Sequence, residues 1–163
     1  MKRKWIAMYM DMAVRAARES HAVRKQVGAV FVSPNGVMSI GINGLPAGAS
    51  NRCEYVDPYT YVLKTKPEVS HAEENLITKM LKEGMSTKGG TIFCTLAPCI
   101  NCAKLLANAG IREIWYLEDY KPEGIAYIKE HFDIEVKRFD PEFTEELEEL
   151  AFMYREGKDK CTT

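Results

Sequence analysis

Downstream of residue 70 the chain alternates between short apolar runs and longer amphipathic stretches, and nothing else in the sequence constrains its fold so strongly. "HAEENLITKMLKEG" (71–84) places Ala72, Leu76 and Met80 on one stripe, with Ile77 and Leu81 beside it and a glycine at the end. That is the pattern of a helix with its C-cap. "GTIFCTL" (90–96) predicts a strand, "CINCAKLLANAG" (99–110) a helix and "IREIWYLE" (111–118) a strand. "PEGIAYIKEHF" (122–132) predicts a helix with proline in its first turn, and "IEVKRF" (134–139) a last strand. Strands separated by helices in this way run parallel, with the helices covering the sheet.

The upstream half differs. Residues 4–19 carry Trp5, Met8, Met12 and Ala16 at helical spacing with Ala13 beside them, which predicts an amphipathic helix with this stripe in the core. "VGAVFVS" (27–33) and "VMSIGING" (37–44) flank "PNG", a strong turn signal, and predict a hairpin. Residues 45–70 are the least regular part. They hold Pro46, Pro58 and Pro67 with Tyr55, Tyr59 and Tyr61, and a connection this long inside a compact domain is commonly functional. A short helix within it is one expectation. "PEFTEELEELAFMYREG" (141–157) predicts an acidic C-terminal helix with a solvated face, or a subunit contact through Phe143, Leu147, Leu150 and Met153. The expectation is one domain over 1–163, a three-layer α/β/α sandwich on a mixed five-stranded sheet, with 141–163 as C-terminal helix and tail.

A net charge of -1 argues against a large polyanionic partner such as nucleic acid, while a small anion needs only one or two local cations. No apolar run approaches a membrane span. The N-terminal "MKRKWIAMYM" is broken at once by Asp11 and Arg15, which reads as a cytoplasmic helix rather than a signal peptide. Five cysteines, an odd number, argue against a disulfide scaffold.

Cys99 and Cys102 form a C-x-x-C pair at the predicted start of a helix, where free N–H groups and the macrodipole favour thiolate. His71 begins another helix, and Glu73 lies two residues beyond it. Three ligands, His71, Cys99 and Cys102, leave a zinc ion one open position, as in catalytic sites, whereas structural sites are closed by four. Glu73 is then placed to act as a base without being a ligand. Two other readings stay open on the residues alone. One is a redox dithiol; the other is a structural zinc completed by Cys94 or Cys53.

The spacing H-x-E…P-C-x-x-C is shared with zinc-dependent nucleobase deaminases, and the chain resembles the cytidine/deoxycytidylate deaminase superfamily over about 1–140, its deoxycytidylate branch above all. "SHAVRKQVGAVFV", "GINGLPAG", "HAEENLI" and "TLAPCINCAKLLANAGIREIWY" carry the likeness. Ile42 stands where the family has an aromatic residue, and Ala22 where it often has cysteine. The 45–70 connection supplies no further Cys/His set, so no second zinc is expected; tRNA adenosine deaminases have a shorter connection there. The resemblance implies a zinc-dependent hydrolytic deamination of dCMP to dUMP, which supplies dUMP for dTMP synthesis. Zn²⁺ would lie on His71, Cys99 and Cys102, with Glu73 as the proton carrier. It implies that Asn43 meets the deoxyribose hydroxyl, that Ala72 and Pro98 line the base pocket, and that Ser20, Arg24 or Tyr120 takes the phosphate. It further implies a homo-oligomer, a hexamer, activated by dCTP and inhibited by dTTP with Mg²⁺ on the triphosphate, at a surface around Gly44 and Asn51. Another base or nucleoside (tRNA adenosine, cytidine) as substrate, or a non-catalytic zinc-stabilised binding module, are the alternatives.

Overall fold

The computed structural model describes residues 1–140, so the C-terminal helix expected at 141–157 lies outside the described residues. A five-stranded sheet has the order β2-β1-β5-β6-β7. Strands β1 (Gly28–Val32) and β2 (Met38–Ile42) form the expected hairpin, and β1 also pairs antiparallel with β5 (Thr91–Leu96). Strands β6 (Glu113–Glu118) and β7 (Glu135–Arg138) then follow in parallel. The parallel half is the alternating half of the sequence. Its crossovers are the helices α3 (Ile100–Asn108) and α4 (Pro122–His131).

Alternate side chains of each strand feed two cores. Ala29, Phe31, Ile92, Cys94 and Ile114 point to the face covered by α2 (Ala72–Lys82), α3 and α4. Val30, Val32, Phe93 and Trp115 point to the face covered by α1 (Arg3–Ala17). The buried stripe of α1 is Ile6, Met10, Ala13 and Ala17 with Ala7 and Ala16; of the expected stripe, Ala13 and Ala16 are buried but Trp5, Met8 and Met12 are not. Trp5 is 43% exposed, and Met8 and Met12 are only half-buried. Ile6 and Met10 pack with Ala7 and Ala13 against Val30, Val32, Phe93 and Trp115 of the sheet, and the alanines let the helix axis approach it closely. In α2 the expected stripe of Ala72, Leu76 and Met80 is buried, but Leu81 is exposed.

The 45–70 connection holds no helix. It forms a second, two-stranded sheet, β3 (Glu54–Val56) against β4 (Leu63–Thr65). Asp57 organises its turn: Oδ1 accepts from the Tyr59 and Thr60 N–H groups and Oδ2 from Lys64 Nζ at 2.6 Å. Cys53 and Val69 at the hairpin's base pack with Ala22 in a small separate core, tying the connection to the segment between α1 and β1. Among the described residues no helix is long and apolar enough to cross a membrane.

Candidate active site

Two helix N-termini converge at the C-terminal end of the parallel strands. His71 is the N-cap residue of α2 and Cys99 that of α3, both in extended backbone. Cys102 sits three residues on, in the first turn of α3. The turn before α2 is fixed by the Glu74 carboxylate, which accepts the His71 N–H at 3.4 Å. His71 Nδ1 lies 3.2 Å from Cys102 Sγ and 3.5 Å from Cys99 Sγ, and all three donor atoms fall within 4.8 Å of one another.

The donor set fits zinc. Tetrahedral bonds of about 2.0–2.1 Å to nitrogen and 2.3 Å to sulfur put the donors about 3.6 Å apart, close to the spacings seen. Cys94 is fully buried in the core on the sheet face below, and Cys53 belongs to the separate core of the connection. Neither joins His71, Cys99 and Cys102 in the metal-holding group. Among the described residues the group has three donors and no fourth, the arrangement of a metal that keeps one position for a reactant.

Charge at the site is organised by burial and by thiol hydrogen bonds. Cys99 is held down to about 3 by hydrogen bonds from the Cys102 thiol and His71 and from main-chain N–H groups of the first turn of α3. Cys102 is pushed the other way, because it donates to Cys99 and is buried. His71 is raised, chiefly by its hydrogen bond with Cys99 and against the effect of burial. Glu73 is 4% exposed, and burial raises its carboxyl above the ordinary carboxylate range. A carboxyl whose proton affinity is raised by burial is suited to accept and return a proton.

A cavity of about 360 Å³ opens at this cluster, with His71, Cys99 and Glu73 in its wall. Ala72, Leu96 and Ala97 line it, whereas Pro98 is fully buried behind and lines nothing. Asn43 lines it too, although its amide is already engaged. Oδ1 accepts the Val27 N–H at 2.8 Å and Nδ2 donates to Lys25 O at 2.9 Å. One N–H and one lone pair remain for a ligand. Arg24 and Tyr120, both exposed, line the cavity as well. Ser20 does not line the cavity; its hydroxyl donates to Asn43 O and accepts the Ala22 N–H, so it supports the wall from behind. Gly44 is joined to Ser70 by two main-chain hydrogen bonds at the foot of the connection, and Asn51 is exposed on it.

Sequence reasoning missed Lys25, Glu54 and Thr65 in the lining. Glu54 and Thr65 come from the β3–β4 hairpin. Its signal was present: Asp57-Pro58 separates "EYV" from "VLKT", a turn dipeptide between β-prone runs.

Residues 3–118 match the family described as the cytidine and deoxycytidylate deaminase zinc-binding region. Human deoxycytidylate deaminase is 37% identical over 122 residues, a match covering 71% of this chain and 66% of the human protein. Deoxycytidylate deaminase of Enterobacteria phage T4 is 31% identical over 147 residues, covering 68% of this chain and 76% of the phage protein. Among solved structures, the dCMP deaminase of cyanophage S-TIM5, in complex with dCMP and dUMP, superposes with a TM-score of 0.75 at 33% identity, covering 85% of this chain and 99% of that one. With a family match across 3–118 and the zinc-site residues gathered at one cavity, the chain belongs to the cytidine and deoxycytidylate deaminase family.

Proposed function

We propose that the protein is a zinc-dependent hydrolase that deaminates dCMP to dUMP and ammonia, as one domain over 1–163. The observation that carries this reading is a buried carboxyl, Glu73, beside a three-donor metal set, with Glu73, His71 and Cys99 in the wall of one cavity. A cavity of about 360 Å³ lies in the range of small-ligand sites. Relatives named deoxycytidylate deaminase, at 31–37% identity, support the choice of substrate.

His71, Cys99 and Cys102 hold the zinc, which when bound acts as a Lewis acid and lowers the pKa of a water towards neutrality. Glu73 performs the proton work. Its carboxylate takes a proton from the attacking water and delivers it to N3 of cytosine as the water oxygen bonds to C4. A second proton passes through the same carboxyl to the exocyclic amine, the C4–N bond breaks, and ammonia leaves. Burial of Glu73 shields it from bulk water and raises its affinity for the proton. Ala72, Leu96 and Ala97 give the base an apolar slot. Asn43 offers its remaining N–H and lone pair to the deoxyribose hydroxyl. Arg24 and Tyr120 at the mouth receive the 5′-phosphate, a role for which a guanidinium is well suited.

The same reading includes a reducing, cytoplasmic setting, since zinc ligation needs Cys99 and Cys102 as thiolates. It also includes a homo-oligomer, a hexamer, and control by dCTP and dTTP near Gly44 and Asn51; family membership is the support for both. Ammonia release from dCMP, deoxycytidine, CMP, cytidine and a tRNA adenosine substrate tests the reading. dCMP is expected to be turned over best, and Glu73→Gln to retain zinc without turnover. Faster release from the tRNA substrate, or undiminished turnover by Glu73→Gln, would refute it.

A further inference from the structure

Two residues of the β3–β4 hairpin, Glu54 at the start of β3 and Thr65 at the end of β4, face each other in register and line the cavity. Both are engaged with Arg24. Glu54 Oε1 accepts the N–H groups of Val23 and Arg24, at 2.9 and 3.2 Å. Thr65 Oγ1 accepts from the Arg24 guanidinium at 3.0 Å. The hairpin therefore grips this arginine at both ends, main chain and side chain, across separations of 30 and 41 residues. No helix or strand of its own holds Arg24, which lies in the irregular segment between α1 and β1.

The nature of the partners matters. Thr65 is a neutral acceptor, so it fixes the guanidinium without cancelling its charge. The adjacent cation, Lys25, is treated differently: its Nζ is paired with Glu118 at 2.5 Å. An exposed arginine gives up much rotamer freedom when it grips a phosphate, and prior anchoring lowers that cost.

We infer that Thr65 and Glu54 are positioning residues for the substrate's 5′-phosphate: the β3–β4 hairpin holds Arg24 at the pocket mouth and thereby selects a nucleoside monophosphate over the free nucleoside. The inference rests on the nucleotide-deaminase reading above. Ammonia release from dCMP and deoxycytidine is measured for wild type, Thr65→Val, Thr65→Ser and Glu54→Gln, with zinc content and Tm of each. Loss of the acceptor in Thr65→Val is expected to raise KM for dCMP about tenfold. Its kcat on dCMP and its kcat/KM on deoxycytidine stay at wild-type values. Thr65→Ser restores KM, and Glu54→Gln, which keeps an acceptor oxygen for the Val23 and Arg24 N–H groups and removes a carboxylate charge from the cavity lining, does not raise KM for dCMP. Unchanged KM for dCMP in Thr65→Val overturns the inference, as does a parallel loss on both substrates, which marks the hairpin as general scaffolding. Failure of the underlying reading shows separately, in the wild-type enzyme: equal turnover of dCMP and deoxycytidine, or of neither, overturns both.

Discussion

Gly124 is the third residue of α4, far in sequence from the metal donors, yet it should govern them. A Cβ built on it would lie 2.1 Å from Pro98 O, 2.7 Å from Cys99 C and 2.9 Å from Cys99 O. All three are main-chain atoms of the turn that presents Cys99, so no flexible side chain can swing aside. Restoring an ordinary contact of about 3.4 Å at the oxygen requires the turn or the helix to move by about 1 Å. Helix propensity alone predicts that Gly124→Ala stabilises the protein by about 1 kcal/mol. Overpacking predicts the reverse, a loss of about 1–3 kcal/mol. The second effect should win, because backbone on both sides of the contact belongs to packed elements. Displacing a ligand-bearing turn by this distance should also weaken zinc binding by about 10- to 100-fold, as disturbing the support of a ligand commonly does. Chelator competition monitored by a zinc-sensitive dye, with a thermal melt alongside, measures both. A raised Tm with wild-type zinc retention would refute the argument.

The other predictions address separate parts of the structure. Glu73→Gln should lower kcat by at least about 10²–10⁴-fold with stoichiometric zinc still present, read from ammonia release and metal analysis. Cys102→Ala should abolish tight zinc binding outright, since it removes one of three donors. Gly41→Ala, whose Cβ would meet Ala72 O at 2.1 Å and Leu76 Cβ at 2.7 Å, should destabilise the β2–α2 contact by about 1–3 kcal/mol in urea unfolding. Asp57 is lowered from its usual 3.8 to about 2, first by Lys64 and then by Thr60. A depressed carboxyl stabilises above its unfolded value and loses that contribution as pH falls through the folded one. Amide exchange at Tyr59 and Thr60 should therefore show protection lost as pH falls from about 4 to about 2, and Asp57→Ala should lose it at neutral pH.

The zinc layer was legible because its signals are local. His71 and Glu73 are two residues apart, Cys99 and Cys102 three, and each pair opens a helix whose apolar period is plain. The later strands are short apolar runs separated by helical stretches, so their parallel direction followed from alternation. The misreadings share a cause as well. In α1 Trp5, Met8 and Met12 were given the core, but Ile6 and Met10 occupy it together with alanines, because the buried stripe lies rotated about the helix from the one assigned. In the connection, β3 and β4 are three residues each and their turn carries Tyr61 at φ 55°. A strand so short has no detectable period, and a left-handed tyrosine is not a turn residue that sequence suggests.

The mouth of the pocket was hard to read because it is built entirely from long-range contacts. Glu54 reaches Val23, Thr65 reaches Arg24, and Lys25 reaches Glu118. Each pair is 31 to 93 residues apart, and none has a spacing that could be recognised in advance. The two regions therefore differ in what a substitution does to them. The donors and Glu73 are fixed by helix starts and by main-chain packing at Gly41 and Gly124, so a backbone shift at either glycine disturbs the ligand set and the base together. The mouth is fixed by exposed side-chain hydrogen bonds that can be removed singly while the cores beneath stay packed. Substitutions at Glu54 and Thr65 should accordingly shift which cytosine compound is accepted and leave the deamination step intact, which makes the hairpin the place where substrate preference can change at least cost to stability.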